Sequence, residues 1–397
     1  MVSGSRFRLL YWHNRHFASS RSDAFCYRRG MSEAQPAPTA TPHDTATRAH
    51  LGDLTGDALL TWRMANLPDR PSADDRNLQS EFPMGWYAVC YSDELAAGQV
   101  KPARYFAQDI AIWRGEDGKA RVIDAHCAHY GANMAIGGLV HGNLLECPFH
   151  AWRYEGDGSV REIPHAKAIP PQAKRKDCVP SWPTVEMNGM ILVWYHPERA
   201  APLWDPVEFS EVGRDGWTAF RKYEWHVFTA LENMADNAVD VSHFKYVHGA
   251  KNVPDYEFRF DGITRAITSY LQLHTPRGEI KGKIDSVNHG PGQGFVRFSG
   301  LTETILVTAT APIERDLTHS RFAFTQPLSE VEGPSAGLTR ALIKDITRQF
   351  DQDKVILDRH KRMEPPLVCD GDGPFGRNRV YYSQFYAGAK RTRPVAA

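Results

Sequence analysis

Cys127-Ala128-His129 and Cys147-Pro148-Phe149-His150 decide how this chain is read. Residues 130–146 separate the two pairs, enough for a hairpin that lays one loop over the other. Each pair offers one thiolate and one imidazole. Together they form the ligand set of a two-iron, two-sulfide centre in which two histidines replace two cysteines on one iron, an exchange that raises the reduction potential. Small residues crowd both loops: Gly131 and Ala132 follow the first pair, and Ala151 follows the second. Pro148 removes a donor and stiffens its loop. The competing reading is a structural zinc site, since two Cys and two His also close a tetrahedral shell. A zinc finger, however, pairs its cysteines with each other and its histidines with each other, not one of each per knuckle.

Such a cluster only carries electrons, so a destination is sought downstream. The run Asp236-Asn237-Ala238-Val239-Asp240-Val241-Ser242-His243-Phe244-Lys245-Tyr246-Val247-His248-Gly249 sets two histidines among carboxylates. Ferrous oxygenases hold iron with two histidines and one carboxylate, leaving positions open for oxygen. At helical pitch Asp236, Asp240 and His243 share one face. Gly249 predicts that the helix stops, with His248 curling back toward the metal of His243. Glu232-Asn233-Met234-Ala235-Asp236 echoes the pattern, but Val239 stands where a histidine is needed. Residues 335–363 read as a long helix with Leu338, Leu342, Ile346, Phe350 and Leu357 as its apolar stripe. Asp353 projects into that stripe, while Asp351 and Asp358 fall on the wet face and Asp345 at the edge. A carboxylate there requires a metal or a partner, the latter being a buried Arg or His360.

His126-Cys127-Ala128-His129-Tyr130-Gly131-Ala132, Gly137-Gly138 and Cys147-Pro148-Phe149-His150-Ala151-Trp152 resemble the Rieske non-haem iron oxygenases. The spacing Asn237-x-x-Asp240-x-x-His243-x4-His248 matches the same family, and so does Gln352-Asp353 on a late helix. The resemblance implies Cys127, His129, Cys147 and His150 as ligands of a [2Fe–2S] cluster. It implies His243, His248 and Asp353 as ligands of mononuclear Fe(II). It also implies that Asp240 transmits electrons rather than binding iron: its carboxylate meets the unused ring nitrogen of His243 and reaches His150 of a neighbouring subunit, in a homotrimer. Flanking stretches (Phe82-Pro83-Met84-Gly85-Trp86-Tyr87, Ser181-Trp182, Val185-Glu186-Met187-Asn188-Gly189, Val307-Thr308-Ala309-Thr310-Ala311-Pro312 and Tyr381-Tyr382-Ser383-Gln384-Phe385-Tyr386) look like the branch of 3-ketosteroid 9α-hydroxylase oxygenase components and cholesterol 7-desaturases. Asp236 departs from the Glu common in relatives. The expected activity is hydroxylation or desaturation of an apolar, steroid-like polycycle, with aromatic ether O-demethylation as the alternative chemistry. Electrons would come from NAD(P)H through a flavin/iron–sulfur reductase, or a ferredoxin with its reductase, and the oxidant is O2. Phe244, Tyr246 and Val247 are candidate pocket walls or ordinary core.

Composition agrees. The 397 residues allow two domains, and a formal net charge of zero gives no reason for a nucleic-acid partner. No apolar run reaches membrane-span length. Cys26, Cys90, Cys178 and Cys369 show no paired spacing, which suits free thiols in a reducing cytoplasm. Residues 1–30 carry six arginines, no lysine and one acid. That resembles a transit peptide, although an upstream-assigned start with Met31 as the true one is preferred. The expected layout is a leader at 1–53, a lead-in at 54–80 with a short helix near 57–64, an all-β Rieske domain at 81–198, a catalytic domain at 199–390 and a tail at 391–397. Strands are expected at 82–90, 103–107, 110–114, 120–124 and 190–195, then at 218–226, 256–261, 265–273, 279–287, 294–299, 303–311 and 320–325. The later set alternates like one antiparallel sheet covered by helices, so the fold class is α+β, of helix-grip or START-like type.

Overall fold

The computed structural model describes residue 76 and residues 81–275, 278–300 and 302–387, the side chains of 271–280 excepted. The expected leader, lead-in helix and tail lie outside the described residues. Every described residue belongs to one compact unit, Asp53–Ala397.

The N-terminal half is all β. Its strands are β1 (Gly85–Tyr91), β2 (Val100–Tyr105), β3 (Gln108–Arg114), β4 (Ala120–Asp124), β5 (Leu139–His141), β6 (Leu144–Glu146), β7 (Arg153–Tyr154), β8 (Val160–Glu162), β9 (Thr184–Met187) and β10 (Met190–Tyr195). They form sheets in the orders β1-β10-β9, β2-β3-β4 and β5-β6-β7-β8. β1 and β10 are apolar runs because both of their faces are covered. Tyr87, Val89, Ile191 and Val193 pack with Ile110, Ile112 and Val122. On the other face Trp86, Ala88, Leu192 and Trp194 pack with Val307, Ala309 and Ala323 of the catalytic sheet. This strand pair is a shared wall between the two halves.

The C-terminal half contains β11 (Arg221–Val227), α1 (Leu231–Asn237), α2 (His243–Tyr246), β12 (Asp255–Asp261), β13 (Thr264–Thr275), β14 (Gly278–His289), β15 (Gln293–Ser299), β16 (Thr304–Glu314), β17 (Leu317–Thr325), α3 (Leu328–Val331), α4 (Ala336–Leu357) and α5 (Phe375–Ser383). Seven strands make one antiparallel sheet in the order β11-β17-β16-β15-β14-β13-β12. α4 lies on it, with Ile343 against Leu306 and Phe324, and with Phe350 and Leu357 against Val227.

Two expectations need correction. Asp236, Asp240 and His243 do not share a helix face, because the helix stops at Asn237 and resumes at His243. In the break Ser242 N–H and Oγ both donate to Asp240 Oδ1, a local turn that takes the place of helical bonding. The stripe of α4 is also rotated. Leu338 is exposed, while Thr339 and Ile343 are buried in its place, and Asp353 still points inward.

A polar latch joins the halves. The His319 ring of β17 lies 2.8 Å from the Tyr105 hydroxyl through Nδ1 and 3.1 Å from Glu224 through Nε2. Arg321 donates to the same hydroxyl at 2.7 Å and to the Ala88 carbonyl at 2.9 Å.

Candidate active site

The two cysteine loops are built alike. Gly131 N–H donates to the Cys127 carbonyl at 2.8 Å, and Ala151 N–H donates to the Cys147 carbonyl at 3.1 Å. Cys127 N–H in turn donates to Ala132 O, and Cys147 N–H to Trp152 O. The residue closing each loop is left-handed: Gly131 has φ 75° and Ala151 has φ 56°. The conformation costs a β-carbon roughly 1–2 kcal/mol, a cost that Gly131 avoids and Ala151 bears.

These loops bring the four expected cluster residues together. The rings of His129 and His150 stand 4.7 Å apart, and His129 stacks on Trp152 at 4.6 Å. Cys127 and Cys147 are buried, and burial pushes the Cys147 thiol up while the backbone N–H groups of Phe149 and His150 pull it down. His150 Nδ1 is buried without a hydrogen-bond partner, as a nitrogen reserved for a metal would be. The two buried cysteines contact each other and the two imidazoles lie side by side, a pairing that fits one iron held by sulfur and one by nitrogen. Tyr154, which the sequence reading missed, accepts from Ala128 N–H at 3.1 Å and stands 3.0 Å from Cys127 Sγ, to which its hydroxyl donates when Cys127 is a thiolate. A lone tyrosine four residues beyond His150 carries no sequence signal for that contact.

The second constellation lies under α4. His243, His248 and Asp353 each offer a ligand atom, all within 4.8 Å of one another. Asp353 Oδ1 is 3.3 Å from His248 Nε2 and 3.9 Å from His243 Nε2. No Arg and no His360 pairs with Asp353 among the described contacts; its other oxygen accepts from Asn237 Nδ2 at 3.3 Å. Val247 N–H and His248 N–H both donate back to His243 O, at 2.7 and 3.4 Å, which holds the two imidazoles 4.8 Å apart; Gly249, at φ 77°, turns the chain away beyond them. His248 Nδ1 donates to Gln352 Oε1 at 2.9 Å, which leaves Nε2 as a lone pair toward Asp353. Burial holds His243 below its ordinary value and so neutral, the form a metal takes. Three inward-facing ligand atoms of this chemistry fit ferrous iron.

Asp240 sits in the break between α1 and α2. One oxygen accepts from Ser242 N–H at 3.0 Å and from Ser242 Oγ at 2.8 Å. The other is 3.7 Å from His243 Nδ1, short of the expected hydrogen bond. That nitrogen is buried and has no hydrogen-bond partner among the described residues.

Below the triad lies a cavity of about 280 Å³, walled by Ile267, Ile284, Val296, Phe298, Leu306 and Phe350 among others. Phe244 lines it, Tyr246 is exposed and Val247 is core.

Residues 85–183 match the Rieske [2Fe-2S] domain, and residues 193–386 match the 3-ketosteroid 9alpha-hydroxylase C-terminal domain. A cholesterol 7-desaturase of Ciona intestinalis is 30% identical over 350 residues, covering 81% of this chain and 73% of that protein. A probable 3-ketosteroid-9-alpha-monooxygenase oxygenase component of Rhodococcus rhodochrous is 30% identical, covering 79% and 82%. The chain belongs to the Rieske non-haem iron oxygenases, in the branch that holds these two relatives. This Rieske oxygenase also shares its fold with dicamba monooxygenase, at TM-score 0.62 and 18% identity, over 76% of this chain and 96% of that one. A Pseudomonas putida protein solved with theobromine gives TM-score 0.59 at 18% identity, covering 75% and 90%. It is an iron-dependent oxidoreductase with a two-iron cluster domain. No helix among the described residues is long and apolar enough to cross a membrane.

Proposed function

We propose that this Rieske oxygenase oxidises an unactivated C–H bond of an apolar polycycle, hydroxylating a 3-ketosteroid or desaturating a sterol. The observation that carries the reading is the triad of His243, His248 and Asp353 set over a largely apolar cavity. Cys127, His129, Cys147 and His150 hold the [2Fe–2S] cluster, and the triad holds Fe(II). Bound there, the cluster supplies electrons singly and the iron supplies activation of O2. The chain's residues do the rest. Gln352 fixes the tautomer of His248, Asn237 steadies Asp353, and the apolar walls hold the substrate by burial at about 25 cal/mol per Å². They also keep water from the reacting bond.

Electrons come from NAD(P)H through a flavin/iron–sulfur reductase, or a ferredoxin with its reductase, in a reducing cytoplasm. The working unit is a homotrimer in which His150 of one subunit approaches Asp240 of the next. Support comes from the aromatic edge at the cluster mouth, where Tyr130 and Phe149 are exposed with ring centroids 6.3 Å apart. Exposed apolar patches of this kind mark contact surfaces. The decisive experiment is turnover with a surrogate reductase against 3-ketosteroids, sterols and aromatic ethers. Oxidation of a polycycle is expected, and turnover of small charged aromatics alone would reject the reading.

A further inference from the structure

One row of the catalytic sheet differs from its neighbours. Strand pairing sets Arg265 opposite Asn288, Asn288 opposite Gly294, and Gly294 opposite Thr308. The adjacent row carries Ile267, Ser286, Val296 and Leu306. Arg265, Asn288 and Thr308 all line the cavity, so a largely apolar chamber carries a guanidinium and an amide in one row of its sheet wall.

That row is oriented from behind by a fixed chain of hydrogen bonds. Buried Asp236 pairs with Arg362 at 3.2 Å and Arg379 at 2.9 Å, and accepts from Asn378 Nδ2 at 2.9 Å. The Asn378 carbonyl oxygen therefore faces Arg265, which donates to it at 2.7 Å. Arg265 donates again, to Asn288 Oδ1 at 2.7 Å. A guanidinium has no acceptor, so each amide can point only one way. Asn288 must present Nδ2 on its far side, where no partner among the described residues takes it. Gly294 makes the room: a β-carbon there would stand 2.2 Å from Thr308 Oγ1 and 2.9 Å from Asn288 Nδ2.

We propose that Asn288 is a specificity-determining donor of this cavity, reading a carbonyl oxygen at one end of the apolar substrate, and that Arg265 is the positioning residue that aims it. The proposal deepens the polycycle reading and rests on it. A donor fixed in an apolar wall rejects a ligand that leaves it unpaired.

The test is calorimetric binding to the iron-loaded, unreduced protein, which does not turn over. The probes are a polycyclic ketone and the same skeleton with a methylene in place of the carbonyl. Wild type should prefer the ketone by about ten-fold or more. Asn288→Leu should bind both within about two-fold of each other, with the methylene skeleton bound more tightly than by wild type. Asn288→Asp keeps the partner of Arg265 but lacks the donor, and should level the ratio in the same way if the leucine variant fails to fold. Arg265→Lys should lower the ratio without weakening the methylene skeleton. A preference that survives both Asn288 variants, or its absence in wild type, overturns the assignment alone. Binding of neither skeleton by wild type overturns the polycycle reading, and the assignment falls with it.

Discussion

Tyr154 shows how much one hydroxyl can set. It stands 3.0 Å from Cys127 Sγ, to which its hydroxyl donates when Cys127 is a thiolate, while its oxygen accepts from the Ala128 N–H. A hydrogen bond to a cluster thiolate stabilises the electron-rich reduced form and raises the potential. A net hydrogen bond of about 1 kcal/mol corresponds, for one electron, to a change on the order of 50 mV. Tyr154→Phe should therefore lower the cluster potential by that order in an EPR-monitored redox titration, with the cluster still assembled. The proposed ligand sets separate the two metals. His150→Ala should remove the acid-labile sulfide and the Rieske EPR signal while mononuclear iron still binds. Asp353→Ala should do the reverse, leaving sulfide intact and releasing about one iron per chain. Zinc without sulfide in anaerobically prepared wild type would restore the zinc reading of the loops.

At the scale of elements, the latch of Glu224, His319, Arg321 and Tyr105 makes a pH prediction. Burial holds His319 below its ordinary value, and the hydrogen bond from His319 draws Glu224 down to about 2. Both groups bind protons more tightly in the unfolded chain than in the folded one, so both contribute stability that is lost on acidification. The histidine part fades first, as pH falls through the ordinary histidine value, and the glutamate part from near 4.5 toward 2. Thermal midpoints should fall between pH 7 and 5, and His319→Gln should flatten that slope. A slope unchanged in His319→Gln would remove the latch from the account. The same elements show what the sequence could reveal. The six strands expected from residue 256 onward were legible because alternation runs through six or more residues in each of them. β5 to β9 are two to four residues long, too short for any period to register. The α1–α2 break was hidden because Asp236, Asp240 and His243 fit helical spacing well. The Asp240–Ser242 turn that interrupts the helix shows only in the folded chain. The polar row of the cavity was invisible for the same reason, since Arg265, Asn288 and Gly294 meet only through strand register.

For the whole molecule, the question is whether electrons pass within a chain or between chains. Asp240 lies half-exposed in the break before His243, and the cluster mouth carries its own exposed aromatic edge. The inter-subunit reading joins these two surfaces around a ring, and a closed ring of identical contacts means every subunit gives to one neighbour and receives from the other. Two variants that are each inactive test it. His150→Ala subunits lack a cluster but keep iron, and Asp353→Ala subunits keep a cluster but lack iron. Co-expressed in equal amounts, they assemble at random, so about a quarter of junctions place an intact cluster beside an intact iron on the next subunit. Activity near a quarter of wild type is expected, and it should vanish when the separately purified variants are mixed without exchange. Asp240→Asn placed on the iron-bearing subunit should remove it again, while the cluster and most of the iron remain. If the mixed assemblies stay inactive although their trimers form and their metals are present, electrons travel within one chain and Asp240 has no part in carrying them.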